Sequence, residues 1–468
     1  MTGKRKRKLA MPDTLIIVAS VVLLVAILSW IIPSGTYDYQ EMNINGRIRN
    51  VAIDGTYHTI DKSEVTTTGF LGFFSVLYRG CVEAADVIFM ILCCCGTFGV
   101  VVKTGAFHAG IGTILKKLKG KEILLVPIIM MLFGLGGSVF GMASEFYGFY
   151  PLIVGLGVAL GYDAMFGFAI IAVGEFVGFM GATLNPYSVG IAQTISGVEL
   201  YSGTGYRAIC FVIFMAISII YVMVYGRKIK KNPGASVVFG EKNIHAFDRD
   251  ELNEYSFTLK DSLVLLDVLV VLVVLMLGLI KWGWDFPQLC GLFLLMSMIA
   301  AAICKWSPNK WCSEFIDSAK TAMWGCILTG IAKAITVVMQ DAQIMDTVIY
   351  GLSNVLKNAP HAVSAQVMLV VQTLINFFIP SATGQASATM PIMAQLADII
   401  GVSRQTAVLA FQFGDGLSNI FWPTADIVII CGLGGISLQK WYKWFTPLFL
   451  ILFVTQAILL GIATGIGF

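Results

Sequence analysis

Nine long apolar runs follow one another along the 468-residue chain, and they restrict its fold more than any other feature. A helix of about 20 apolar residues is long enough to cross the hydrocarbon core of a bilayer. Hydrophobic residues make up 57% of the chain and charged residues 13%, which excludes an ordinary soluble domain. We therefore predict an all-α polytopic membrane protein. The predicted spans are residues 14–32, 84–103, 165–196, 207–225, 262–281, 287–304, 318–338, 403–432 and 446–466.

Two further apolar pairs, residues 123–160 and 363–400, are too short to supply two spans each. The arm from Ile123 to Gly136 would measure roughly 21 Å as a helix, whereas the hydrocarbon core is about 30 Å thick. Each pair is therefore predicted to form a re-entrant helical hairpin, which returns the chain to the side from which it entered.

Basic residues indicate how the spans are oriented. An N-terminus in the cytoplasm places the basic groups at Lys4–Lys8, Lys116–Lys121 and Arg227–Lys231 inside, as the positive-inside rule requires. The loop of residues 33–80 then lies outside, and its Asn-Gly and Asp-Gly pairs predict turns or a small hairpin. We expect a multi-pass protein of a bacterial-type inner membrane.

A pattern of proline, glycine and an acid occurs twice, 240 positions apart. The polar stretch of residues 232–262 divides the chain between the two copies and predicts a cytoplasmic linker. Residues 1–231 and 263–468 are therefore predicted to be two transmembrane repeats, and they are inverted because their hairpins enter from opposite sides. The repeated positions are Pro151, Gly161 and Gly174-Glu175 in the first half, and Pro391, Gly401 and Gly414-Asp415 in the second.

Each hairpin has a tip rich in small residues, and each following span is interrupted by a proline, Pro186 or Pro423. Unwound backbone at such points can bind a solute where it lines a cavity, although small residues also serve tight helix packing. Acids inside a membrane segment usually face a protein interior. The candidate solute- or ion-binding residues are Ser144, Glu145, Glu175, Asn185, Ser381, Thr383, Asp415, Ser418, Asn419 and Asp426.

Among these candidates, Glu175 and Asp415 are favoured for a proton, a cation or a cationic group of the solute. The alternative is that each acid stabilises a helix end at the break. No catalytic, metal-binding or nucleotide-binding motif appears, and nothing indicates nucleic acid as a partner. Apart from coupling to Na⁺ or H⁺, no cofactor is expected, and the cysteine residues are predicted to be free thiols.

The sequence Trp30–Tyr37 after the first span, the small-residue tips and the Gly-acid pairs ahead of the broken prolines together resemble one family. The resemblance is to the YfcC and DcuC branch of the ion transporter superfamily, and it covers nearly the whole chain. It implies inverted repeats, re-entrant hairpins, an elevator-like or related alternating-access cycle, and a homodimer. It also implies a substrate among C4-dicarboxylates or basic amino acids such as arginine and ornithine.

Charge separates these two substrate classes. Tips and breaks contain four acids and no Arg or Lys, the nearest bases being Lys333 and Arg404. We therefore predict a secondary transporter or antiporter of a basic amino acid, whose carboxylate would meet backbone N–H groups. A sodium- or proton-coupled carrier of C4-dicarboxylates or other organic anions is the alternative. An intramembrane enzyme or a receptor is disfavoured, because no catalytic constellation is present and the loops are small.

Overall fold

The computed structural model describes residues 13–44, 47–118, 122–241, 245, 257–357 and 363–468. Within these ranges the chain forms nineteen α-helices, and seven of them are long and apolar enough to cross a bilayer. The all-α membrane fold is thus confirmed. The basic run Lys4–Lys8, Lys119, Lys121, and residues 242–244 and 246–256 of the predicted linker lie outside the described residues.

The first half contains nine helices in the described residues. The predicted span of residues 165–196 is interrupted as expected, and the predicted hairpin has two short helical arms. The helices are α1 (Thr14–Ile31), α2 (Phe70–Glu83), α3 (Ala85–Lys103), α4 (Ala106–Leu118), α5 (Leu125–Leu135), α6 (Phe149–Ala159), α7 (Ala164–Met180), α8 (Val189–Ile195) and α9 (Thr204–Lys231).

The described part of the second half contains ten helices, and its hairpin and broken span occur in the same order. The helices are α10 (Leu259–Lys281), α11 (Phe286–Ile303), α12 (Pro308–Lys320), α13 (Met323–Asp341), α14 (Met345–Lys357), α15 (Ser364–Phe378), α16 (Ala382–Ile399), α17 (Arg404–Ser418), α18 (Asp426–Gly434) and α19 (Leu438–Gly465).

Helices α2 to α9 and α12 to α19 follow the same sequence of long, short and broken elements. We name α5–α6 hairpin 1 and α15–α16 hairpin 2. Tip 1 is residues 136–148 and tip 2 is residues 379–381. Break 1, residues 181–188, separates α7 from α8, and break 2, residues 419–425, separates α17 from α18. This parallel order is what a duplicated chain would give, while the inverted relation of the halves stays a prediction.

The loop predicted at residues 33–80 ends earlier than expected, because Phe70–Glu83 form helix α2. This helix packs against α13, and its Gly80 lies against the backbone of Gly330 and Ala334. Arg79 also binds both carboxylate oxygens of Asp341 at the end of α13, at 2.5 and 2.9 Å. One side of this helix is therefore packed against the membrane-spanning helix α13, and its mixed composition is not detected by a search for apolar runs.

The remainder of that loop forms the predicted hairpin, in which strand β2 (Tyr39–Ile44) pairs antiparallel with β3 (Arg47–Ala52). Short strands β1 (Ser34–Thr36) and β4 (His58–Ile60) pair beside them, and we call residues 34–60 the β-ribbon. Asp346 of α14 accepts hydrogen bonds from the Tyr37 N–H at 3.0 Å and the Tyr39 hydroxyl at 2.8 Å. Burial, and then the Asp346 carboxylate, raise the pKa of Tyr39, which keeps this hydroxyl a donor. The β-ribbon is thus fixed to α14.

The crossing of α2 and α13 predicts a specific sensitivity to Gly80→Ala. An added Cβ would lie 2.3 Å from the Gly330 carbonyl oxygen and 2.6 Å from the Ala334 nitrogen, so the helices would have to separate. We expect a loss of about 1 to 3 kcal/mol, measured as a lower thermal midpoint in detergent. Gly351→Ala on α14 is the matched control, because its Cβ would meet open space. Equal midpoints for both variants would contradict this packing.

Candidate functional site

A cavity of about 800 Å³ lies where both tips, break 2, α13 and the β-ribbon meet. Three predicted site residues line it: Ser144 of tip 1, Ser381 of tip 2 and Asp426 at the start of α18. A volume of this size is in the range of pockets that hold small organic ligands. The cavity is therefore the candidate solute site.

Tip 1 is held against break 1 by the predicted site residue Asn185. Its side-chain nitrogen donates to the Gly137 carbonyl at 3.1 Å, while its oxygen accepts from the N–H groups of Tyr187 and Ser188. Gly141 at the turn has a φ of +69°, and a Cβ there would lie 2.5 Å from the Asn185 oxygen. Asn185 thus organises the backbone of the tip and the break in this structure.

Tip 2 and break 2 are joined by corresponding contacts between a side chain and the backbone. The Thr424 hydroxyl donates to the Phe377 carbonyl at 2.7 Å, close to the end of α15. Ser381 caps α16 by accepting from the Gly384 N–H at 3.3 Å. In both halves, therefore, polar side chains bind backbone groups that the interrupted helices leave without an intrahelical partner.

Each hairpin also contacts the interrupted span of the other half. The Tyr147 hydroxyl of tip 1 donates to Asp426 Oδ1 at 2.8 Å. The Thr383 hydroxyl, in the first turn of α16, donates to the Tyr187 carbonyl of break 1 at 3.2 Å. These exchanged contacts place the carboxylate of Asp426 in the cavity wall with one of its oxygens already bound.

Three of the four predicted acids lie away from the cavity, and Glu175 and Glu145 are two of them. Glu175 is fully buried in α7, where it accepts from the Tyr150 hydroxyl at 2.9 Å through Oε2, and its Oε1 has no partner among the described residues. Glu145 is 7% exposed and accepts from the Ala143 N–H at 3.0 Å, a local contact that shapes tip 1. Neither acid is among the residues that line the cavity.

Asp415 lies inside a cluster of amide side chains between hairpin 2 and α17. Asn376 donates to Asp415 Oδ1 at 3.0 Å, and the same amide also lies within reach of Gln385 Oε1 and Asn419 Oδ1, both at 3.2 Å. Asp415 Oδ2 and Asn376 Oδ1 have no partner within the described ranges. The neighbouring Ser418 hydroxyl bonds back to the Gly414 carbonyl in its own helix. The cluster therefore presents unpartnered oxygen atoms in a fully buried position.

Gln412 and Arg207 join the two halves of the protein close to break 1. The Gln412 side chain donates to the carbonyls of Met180 and Ala182, both at 2.9 Å, where α7 ends. Its oxygen accepts from Arg207 Nε at 2.9 Å, and Arg207 is completely buried. Broken backbone in the first half is thus stabilised by a side chain of the second.

Sequence reasoning did not find several residues that the structure brings to these sites. Tyr147 was missed because a single tyrosine beside an apolar arm carries no distinctive signal. Asn376 was missed because it lies in an arm of hairpin 2, and Gln385 because its contact with Asn376 depends on how the two arms pack. Lys333 was noted only as a nearby base, yet it lines the cavity. The signal that could have found it is a polar residue recurring at helical spacing along one face of α13.

Comparison with known proteins gives matches over the whole chain. The profile of the family described as DcuC, C4-dicarboxylate anaerobic carrier, matches residues 11–465. The chain is 32% identical to "Putative basic amino acid antiporter YfcC" of Escherichia coli strain K12, with 100% of this chain and 99% of that one covered. It is 27% identical to an uncharacterized protein of Haemophilus influenzae strain Rd, with 99% of each chain covered.

Two solved structures align with the chain at a TM-score of 0.44. The YdaH transporter of Alcanivorax borkumensis is 15% identical, and the alignment covers 98% of this chain and 99% of that one. MtrF of Neisseria gonorrhoeae, described with a class of antimetabolite efflux pumps, is 16% identical over 97% of this chain and 96% of that one.

The Gln412 contacts predict that Gln412→Leu is strongly destabilising. The substitution removes the donor to two buried carbonyls and the acceptor for a buried guanidinium, and each buried polar group left unpaired costs about 1 to 3 kcal/mol. Gln395→Leu on α16 is the control, since that glutamine is exposed. We expect a clearly lower thermal midpoint for Gln412→Leu and a midpoint close to that of the wild type for Gln395→Leu. Similar midpoints would show that these bonds do not hold the halves together.

Proposed function

The chain belongs to the DcuC family of carriers, and from this premise we propose that it is a secondary antiporter of a basic amino acid of the arginine or ornithine type. The profile match and the 32% identity to YfcC confirm the family resemblance found in the sequence. The protein is accordingly a multi-pass membrane transporter of small-molecule solutes, and not an enzyme. The identity of the solute and the exchange mode are the proposed part.

The observation that carries the proposal is the Asp426 carboxylate in the wall of the cavity. Tyr147 fixes one of its oxygens, which orients the carboxylate toward a cationic group of a solute. The hydroxyls of Ser144 and Ser381 line the same cavity from the two tips and offer neutral hydrogen bonds. Glu83, at the end of α2, adds a second acid to the lining. Two acids suit a solute that carries more than one positive charge.

The relative YfcC of Escherichia coli bears the name "Putative basic amino acid antiporter", which supports the same choice. The family description, a C4-dicarboxylate carrier, supports the competing proposal of an organic anion substrate. Arg49 and Lys333 also line the cavity, so basic groups for an anion are not absent from it. The absence of Arg and Lys from the tips and breaks therefore does not extend to the whole cavity. Transport of a panel of solutes separates basic amino acids from organic anions as substrates.

Asp415 is proposed to hold the coupling ion, Na⁺ or H⁺. Two unpartnered side-chain oxygens, Asp415 Oδ2 and Asn376 Oδ1, support this role, because carboxylate and amide oxygens are suitable ligands for hard cations. Glu175, with its one unpartnered oxygen, is proposed as the equivalent acid of the first half. Neither acid lines the cavity, so they would act on the solute site through hairpin and break rather than by touching the solute.

The membrane orientation is also a proposal. Arg227, Lys228, Lys230 and Lys231 end α9, and the positive-inside rule favours the cytoplasm for this end. The β-ribbon side of the cavity would then face outward in this structure, in a bacterial-type inner membrane. The homodimer implied by the family resemblance likewise stays a prediction.

Counterflow into proteoliposomes tests the substrate class. We expect exchange of arginine against ornithine and none of succinate, and we expect Asp426→Asn to lower this exchange at least tenfold, because a hydrogen bond to a charged group is worth about 1.5 to 3 kcal/mol. Asp317→Asn is the control, since that acid lies exposed on α12 in a pair with Lys320. Succinate exchange without amino acid exchange would reject the basic amino acid proposal.

Binding of the solute in detergent tests the coupling role of Asp415. In the wild type, affinity should depend on either the sodium concentration or the pH, and Asp415→Asn should abolish that dependence while leaving measurable binding. Asp398→Asn is the control, because Asp398 lies exposed on α16, where it forms an ion pair with Arg404. An Asp415 variant that keeps the full ion dependence of the wild type would exclude this role.

A further inference from the structure

Helix α13 carries a stripe of four polar residues in an otherwise apolar, membrane-spanning segment: Thr329, Lys333, Thr336 and Gln340. Their spacing of four, three and four residues places them on one face of the helix. All four line the candidate solute cavity. The stripe ends close to the β-ribbon, where the Gly35 N–H binds the Gln343 carbonyl at 2.9 Å.

Lys333 is the basic member of this stripe, and it forms no ion pair with any acid of the described residues. No hydrogen bond or ion pair joins it to the part of the chain that the structure describes, so no carboxylate there lies within 4.0 Å of it. Asp341, the acid on the same helix, is instead bound by Arg79. A lysine inside a membrane segment is costly and usually has a partner or a functional role.

Snorkelling to the membrane surface does not account for Lys333. A snorkelling lysine places its ammonium group among lipid headgroups at the end of a span. Lys333 instead lines a cavity whose wall also contains the acid Asp426 and the hydroxyl residues Thr329 and Thr336. Lys333 therefore borders the space in which a solute would lie.

We propose that Lys333 binds the carboxylate of the transported solute. The proposal rests on the function proposed above and deepens it, because it makes a carboxylate a requirement for recognition. An amino acid would then present its carboxylate to Lys333 and its cationic groups to Asp426, while Thr329 and Thr336 offer hydroxyl contacts along the same face. Backbone N–H groups at the breaks are not needed for the carboxylate.

Arginine and agmatine provide the sharpest test, because agmatine has the guanidinium side chain of arginine without the carboxylate. Binding to the full-length protein in detergent should be at least tenfold tighter for arginine in the wild type. In Lys333→Gln, the ratio of the two affinities should fall toward one, chiefly through loss of arginine affinity. Lys333→Arg should keep most of the preference, since a guanidinium also pairs with a carboxylate. Lys320→Gln, an exposed lysine on α12, should behave as wild type.

An unchanged ratio in Lys333→Gln would overturn the role of Lys333 and leave the basic amino acid proposal standing. Binding of succinate but of neither arginine nor ornithine by the wild type would reject that proposal instead. The role of Lys333 in binding a carboxylate would then be supported if Lys333→Gln lost affinity for succinate, and it would be overturned if the affinity were unchanged. A wild type that binds none of these carboxylates would overturn both proposals.

Discussion

Interrupted helices inside a membrane leave backbone groups that water cannot satisfy, and the rest of this structure follows from how they are satisfied. Side chains supply the partners: Asn185 binds a carbonyl of tip 1, Thr424 binds a carbonyl beside tip 2, and Gln412 binds two carbonyls at the end of α7. Because these partners lie on neighbouring elements, each tip is held beside a break. The exchanged contacts of Tyr147 and Thr383 then bring both halves to one cavity.

The charges divide into two sets by position. Glu175 and Asp415 are completely buried within the contacts of hairpin and helix, whereas Asp426 and Lys333 line the cavity. This separation would allow an ion site and a solute site to be distinct yet connected. Tyr147 at the end of tip 1 and Tyr150 in the first turn of α6 are three residues apart, and they donate hydrogen bonds to Asp426 and Glu175 respectively. Binding of an ion at Glu175 would thus affect Asp426, and with it the solute, through the segment that carries these two tyrosines.

The fold was largely predictable from the sequence, because apolar length and the prolines at the breaks report directly on spans and interruptions. Helix α2 was not found, since its composition is mixed and its Gly80 is explained only by the close contact with α13. Among candidate site residues, Ser144, Ser381 and Asp426 do line the cavity. The burial of Asp415 and the presence of Lys333 in the same wall as Asp426 depend on how distant helices pack, which no local pattern encodes.

The central claim is that the solute lies in the cavity between the tips and α13. A structure of the protein with saturating arginine tests it most directly, at a resolution that shows the solute's orientation. The account predicts density within this cavity, with the carboxylate beside Lys333 and a cationic group beside Asp426. Solute density next to the buried Glu175 or Asp415, with the cavity empty, would contradict it.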